Sequence, residues 1–161
     1  MKLFQRAPQE RHDYELEEVL EVAAAGRRLV IYDRATGLIA FWYLQLRAGE
    51  EIARARRYGK PLTLVSAWAA TKEAIDALAA HFRDGLRDTD LAGYLNNGHF
   101  VLLLPETGAT GAAIVEERIR SAFGDTIQIA TVAYPDDGES FEDLLERAKA
   151  LAGEATREAS A

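Results

Sequence analysis

Residues 86–107 read LRDTDLAGYLNNGHFVLLLPET, and the way this stretch folds decides the rest of the chain. Two apolar segments flank Asn96-Asn97-Gly98. Asparagine and glycine accept the positive φ that a tight hairpin turn demands, which predicts a β-hairpin from about Leu91 to Leu104. The turn holds polar residues where a site could be built, yet no carboxylate. It is either a working site or the remains of one.

Upstream of the hairpin, Ile75, Leu78, Ala79 and Phe82 recur at helical spacing and predict a helix from about Thr71 to Leu86. LTLVSAW, before it, is apolar enough for a central strand. GKP separates that strand from a long helix over about Ala40 to Tyr58, whose buried face is expected to be Phe41, Leu44, Ala48, Ile52 and Ala55. RRLVIYD reads as a short extended run leading into RATGL. DYELEEVLEVAAAG reads as an N-terminal helix with Leu16, Val19, Leu20 and Ala23 on one face and Gly26 as its stop. That stripe either packs on its own domain or pairs with a second copy. Residues 1 to about 12 are polar and expected to be loose.

Downstream, TGATGAAIVEERIRSAF is expected to be a helix, TIQIATVAY a strand and PDDGES a turn. SFEDLLERAKALAGEA closes as a helix with Ser140 as its N-cap. The resulting βαββαβ order predicts an α+β fold of the ferredoxin-like kind: a layered α/β sandwich whose mostly antiparallel central sheet is surrounded by helices, with an N-terminal helix added. The division expected is a tail and helix over 1–28 and one domain over 29–158.

Composition narrows the function. The chain has 161 residues, 48% of them hydrophobic, which suits one domain with a sizeable core. Its net charge of −7, from 19 basic and 26 acidic side chains, argues against a nucleic-acid footprint or an anionic-membrane face. There is no cysteine, hence no disulfide or thiolate metal site. No apolar run is long enough to span a bilayer and the N-terminus lacks a signal-peptide core, so a cytoplasmic location without membrane insertion is expected.

Several segments, in order, resemble the GGDEF domain, the diguanylate cyclase domain of bacteria. YDRATGL is similar to its D-x-L-T-G-L opening, and EEIARARRYGKPLTL to the helix and first strand that follow. LRDTDLAGYLNNGHFVLLLPET is similar to L-R-x-x-D-L-x-x-R-x-G-G-D-E-F-x-x-x-L-P-x-T, and EERIR, AYPDDG and LLERAKAL to the last third. The likeness covers about residues 29 to 156 and implies a nucleotide-cyclase core. In that family two GTP molecules are joined into cyclic di-GMP, with metal ions neutralising the triphosphate and activating the attacking hydroxyl. Hard divalent cations need oxygen ligands. The resemblance places these at the end of the first strand and in the signature turn. Here the strand ends Trp68-Ala69-Ala70, and the turn with its flank is Asn96, Asn97, Gly98, His99 and Phe100. Ala40 stands at the family's guanine-contacting Asn. Roughly a dozen residues of the nucleotide-binding loop after the first strand are missing, and so short a connection cannot rebuild a purine pocket. AKALAGEAT has also lost the Asp and Lys of the family's late A-D-x-A-L-Y-x-A-K. The resemblance therefore implies a degenerate domain with a vestigial signature turn: no catalytic residue, no metal, no cofactor and no cyclase activity.

The family's second nucleotide site, for product inhibition, is marked by R-x-x-D five residues before the turn, and Arg87-Asp88-Thr89-Asp90 stands at that spacing. Arginine can grip guanine O6 and N7 or a phosphate, and an aspartate can accept from the guanine N1–H and N2–H edge. Arg118 matches the position from which family members supply a further arginine, often from a neighbouring copy. Beside this stands a structural reading: Arg87 near a helix C-terminus suits the macrodipole, Asp90 caps a turn, and ERIR is ordinary charge patterning. In the sensor reading Arg87 and Asp90 should be exposed and share a groove.

Other candidates are weaker. His12, His81 and His99 show no ligand spacing, and His99 reads as a partly exposed hairpin residue. Asp136, Asp137 and Glu139 read as a solvated turn, and RARRYGK as the exposed side of the long helix. Trp42 reads as core, and Trp68 as a filler of the emptied cleft. Two functions follow: a catalytically inactive regulator that binds cyclic di-GMP through Arg87, Asp90 and Arg118, or a scaffold for a protein partner or homodimer that binds no nucleotide.

Overall fold

The computed structural model describes residues 19–22 and 27–160. Strands β1 (Val19–Val22) and β2 (Arg27–Val30) pair antiparallel, with Val19 opposite Val30 and Val22 opposite Arg27. This corrects the expected N-terminal helix where it is described. Val19 and Val22 are β-branched, and a ladder with Arg27–Val30 suits them better than a helical turn. The rest of the expected helix, including Leu16 and Ala23, lies outside the described residues.

The main body runs β3 (Ile39–Ala40), α1 (Phe41–Tyr58), β4 (Leu62–Ala69), α2 (Lys72–Gly85), β5 (Leu91–Tyr94), β6 (His99–Pro105), α3 (Ala109–Phe123), β7 (Ile127–Tyr134) and α4 (Phe141–Ser160). The sheet order is β3-β5-β6-β4-β7. β4 lies between β6 and β7 and is antiparallel to both, β5 is antiparallel to β6, and β3 adds a parallel edge beside β5. The expected βαββαβ core is therefore β4-α2-β5-β6-α3-β7, with β3 and two further helices around it.

Alternation along the central strands divides the core into two layers. Leu62 and Leu64 of β4 join Val101 and Leu103 of β6 beneath Leu44, Ala48 and Ile52 of α1 and Leu144 and Ala148 of α4. Val65 and Ala67 join Phe100, Leu102 and Leu104 against Leu78 and Phe82 of α2 and Ile119 of α3. The helix faces read from periodicity are the faces buried, with Phe41 and Ile75 at their half-buried margins. Glycine ends α1, as GKP predicts: Gly59 sits at φ 62 and returns its N–H to the Ala55 carbonyl. Thr71 caps α2 by accepting from the Ala74 N–H at 3.2 Å, and Ser140 caps α4 by accepting from Asp143 at 3.0 Å.

Gly93 of β5 fixes how closely α1 approaches the sheet. A β-carbon there would lie 2.5 Å from the Leu44 side chain and 3.2 Å from the Ile39 carbonyl oxygen. Gly93→Ala is expected to cost about 2 kcal/mol by overpacking, read as a lower urea midpoint with unchanged slope.

Candidate functional site

The hairpin turn is where the sequence pattern points. The His99 N–H donates to the Asn96 carbonyl at 2.8 Å, closing a turn whose central residues Asn97 and Gly98 have φ 47 and 78. Two positive φ values in an Asn-Gly pair are what a hairpin turn of the primed kind requires. The turn is also tied down at its tip. Gly98 donates its N–H to the Tyr94 hydroxyl at 3.0 Å and accepts from the Ala69 N–H at 2.9 Å. A β-carbon at Gly98 would lie 1.9 Å from the Ala69 carbonyl oxygen. The turn backbone thus closes onto the end of β4, between the two places from which the resembled family draws its metal ligands. Trp68, Ala69, Ala70 and Gly98 bring no side-chain oxygen there, so these residues do not fit a divalent cation. Among the described residues, no group of three or more His, Asp or Glu side chains is placed to hold a metal.

His99 follows the turn. It is 6% exposed, which corrects the expectation of a partly exposed residue. Alternation along β6 points it toward the α1 and α4 side, where its ring stacks on Trp68 at 4.5 Å between centroids and 15° between planes. Its Nε2 lies 3.1 Å from the Ser66 hydroxyl oxygen. Half-buried Trp68 and this histidine together cover the end of β4. Phe100, by contrast, is core: it packs against Tyr94 and Phe82 at 5.0 and 5.8 Å between centroids. Asn96 and Asn97 are exposed.

Burial, and then the positive charge of Lys149, push the His99 pKa down to about 4 from its ordinary 6.5. The unfolded chain therefore binds the extra proton first as pH falls, so His99 favours folding fully above pH 6.5 and progressively less toward pH 4. Denaturant titrations at several pH values should show the native protein losing about 2 kcal/mol more than His99→Gln across that window. Parallel pH profiles would show that the ring is not held neutral.

Arg87 and Asp90 meet at the corner between α2 and β5. Asp90 is 3% exposed. Its Oδ2 accepts from the Arg87 backbone N–H at 3.1 Å and from Nε at 3.2 Å, and its Oδ1 accepts from a terminal guanidinium nitrogen at 2.9 Å. The same nitrogen donates to the Thr107 hydroxyl at 2.6 Å and the Pro105 carbonyl at 3.3 Å. The bond to Asp90, first among the causes, raises the Arg87 pKa further. Arg87 is nevertheless 57% exposed along its side chain and lines a cleft of about 520 Å³ facing α1. The two residues are thus brought together, with Arg87 open to the groove and Asp90 beneath it. Arg118 is not brought to them: it is exposed on α3, in a separate shallow depression with Ile114. Its charge lowers the His81 pKa, second to the effect of that ring's burial.

Asp137 is more than a solvated turn residue, since its Oδ2 accepts from the Ala133 N–H of β7 at 2.8 Å. Trp42 is half-buried and donates to the Val30 carbonyl at 2.9 Å, tying β2 to α1. Sequence reasoning missed Glu51, a carboxylate 5% exposed on α1, with Arg54 at 3.3 Å and Arg47 at 3.8 Å. The 4-3-4 spacing of Arg47, Glu51, Arg54 and Tyr58 was the available signal: one stripe of one helix.

No protein-family model matches the sequence, and no curated protein does. Solved structures do. A sensory box/GGDEF family protein from Caulobacter crescentus superposes with a TM-score of 0.72 at 20% identity, over 80% of this chain and 99% of that one. The GGDEF domain of DgcB from Caulobacter crescentus, in complex with c-di-GMP, gives 0.72 at 16% identity, over 83% and 91%. The diguanylate cyclase SiaD of Pseudomonas aeruginosa, in complex with its activator SiaC, gives 0.73 at 23%, over 93% of this chain and 63% of that one. The chain has the α+β fold of GGDEF domains. No helix among the described residues is long and apolar enough to cross a membrane.

Proposed function

We propose that this is a non-enzymatic regulatory domain with the GGDEF fold, acting by what it binds and not by turning over GTP. The observation that carries this reading is the contact at the turn: Gly98 is hydrogen-bonded to Ala69, with no room for a side chain where the resembled pattern has an acidic one. Stacked His99 and Trp68 support it by filling the adjoining space with two apolar ring faces.

Of the two regulatory readings, the geometry at the α2–β5 corner favours a scaffold over an Arg87–Asp90–Arg118 sensor. Both carboxylate oxygens of Asp90 accept bonds from Arg87, and its burial keeps it from a guanine edge. The SiaD complex with its activator and the DgcB complex with c-di-GMP supply one precedent for each reading. Titrating cyclic di-GMP calorimetrically into the native chain and into Asp90→Asn separates them. The proposal expects no saturable binding by either chain. A loss of more than about tenfold would restore the sensor.

A further inference from the structure

We propose that Asn97-Gly98 is a latent deamidation site, which the closed hairpin turn keeps silent and which reacts with water when the tip lifts from β4. Asn96 and Asn97 are the only asparagines of the chain, and both are exposed at the turn. Asparagine is among the thermolabile side chains. Its amide is lost fastest where the next residue is glycine, because no β-carbon then shields the following peptide nitrogen. That nitrogen, after giving up its proton to solvent base, attacks the Asn97 side-chain carbonyl carbon. A C–N bond forms, the bond to the amide nitrogen breaks, and ammonia leaves a cyclic imide behind. Water then opens the ring at either carbonyl, to aspartate or to isoaspartate. The sum is asparagine plus water giving aspartate plus ammonia, with no oxidant, metal or enzyme required.

The folded turn blocks this step at the nucleophile and at the rotation it needs. Gly98 donates its N–H to the Tyr94 hydroxyl at 3.0 Å, so the proton that must depart is held. Tyr94 is itself fixed, its half-buried ring packed on Phe100 at 5.0 Å between centroids. Bringing the nitrogen toward the side-chain carbon requires rotation about the Asn97 Cα–C bond. That bond lies inside a turn closed by the His99 N–H on the Asn96 carbonyl at 2.8 Å and pinned at Gly98 by the Ala69 N–H at 2.9 Å. The missing side chain at Gly98 therefore has two consequences. It lets the residue sit against the Ala69 carbonyl, and it leaves the nitrogen unshielded once the tip opens. Opening of a hairpin tip is a local event, separate from unfolding of the core. Aspartate tolerates the left-handed φ of 47 at Asn97, so the aspartyl product closes the turn again with an added negative charge. The isoaspartyl product adds a methylene to the backbone inside the clamp and holds the tip away from β4.

This chemistry does not depend on which partner the domain binds. The test is incubation of the purified chain in mildly alkaline buffer, folded and in denaturing urea, followed by peptide mapping with mass spectrometry and an isoaspartate assay. Asn97 is expected to deamidate readily in urea and at least about tenfold more slowly in the folded chain. Tyr94→Phe, which keeps the ring and removes the hydroxyl, should speed the folded reaction about fivefold and leave the rate in urea unchanged. Ile119→Val, a change of similar cost in the buried core under α3, should leave the folded rate at Asn97 as it is. Equal rates in the folded and urea-unfolded chains, or no acceleration in Tyr94→Phe, would overturn the proposal. So would an equal acceleration in Ile119→Val, since the reaction would then pass through unfolding of the whole domain and not through the tip.

Discussion

Gly98→Glu, which places an acidic side chain in the turn, should unfold the hairpin tip and yield no cyclase activity. Gly98 has φ 78, a region side chains rarely adopt, and a β-carbon there falls 1.9 Å from the Ala69 carbonyl oxygen. That atom is backbone of the central strand, flanked by β6 and β7, and cannot step aside without breaking the ladder. The expected cost is about 3 kcal/mol or more, from backbone strain and steric overlap combined. Ala70→Asp, at the exposed residue just past the strand, should cost less than about 0.5 kcal/mol. Urea unfolding of both variants checks the contrast. A Gly98→Glu protein as stable as the native one would mean that the turn stands clear of β4 and that the space is open.

Arg87→Ala should be the second most damaging change, although Arg87 is half exposed. Arg87 gives Asp90, 3% exposed, three hydrogen bonds, two of them from the side chain that the substitution removes. The backbone bond from residue 87 can survive, but both side-chain bonds go. Removing one partner of a buried charged pair is far costlier than the pair is worth, and about 3 kcal/mol is expected here. Asp90→Asn keeps one acceptor oxygen in the same volume, exchanges the other for an N–H donor, and should cost about half as much. Thermal or urea unfolding of the two single variants measures the asymmetry. Equal and small losses, below about 0.5 kcal/mol each, would show that the pair is not part of the structure and stands ready for a ligand.

The core was legible in the sequence because its periodicities are undisturbed. Leu44, Ala48, Ile52 and Ala55 mark α1 at helical spacing, LTLVSAW marks a strand buried on both faces, and Asn97-Gly98 fixes the hairpin turn. The N-terminal stretch misled because Leu16, Val19, Leu20 and Ala23 satisfy a helical stripe, while the cross-strand partners of Val19 to Val22 sit at Arg27–Val30, beyond the reach of a local pattern. The candidate site was legible only by residue type. That the turn lacked carboxylates could be read directly. That Gly98 closes onto Ala69 could not, because the contact joins positions far apart in the chain through the pairing of β4 with β6. His99 was misjudged for a related reason: a polar residue next to a turn is usually exposed, but here Trp68 across the ladder supplies a ring to stack on. The Arg87–Asp90 spacing was visible, and the depth of Asp90 was not.

The most direct test of the account is an incubation of the purified chain with GTP and magnesium, then with GTP and manganese, followed by chromatography of the nucleotides. The account predicts GTP recovered intact, with no cyclic di-GMP or linear intermediate above a protein-free control and no change when Asp and Glu are placed at Ala70 and Gly98. Cyclic di-GMP accumulating in proportion to protein concentration would contradict it, and would mean that the end of β4 and the hairpin turn still open to admit a metal-bound triphosphate.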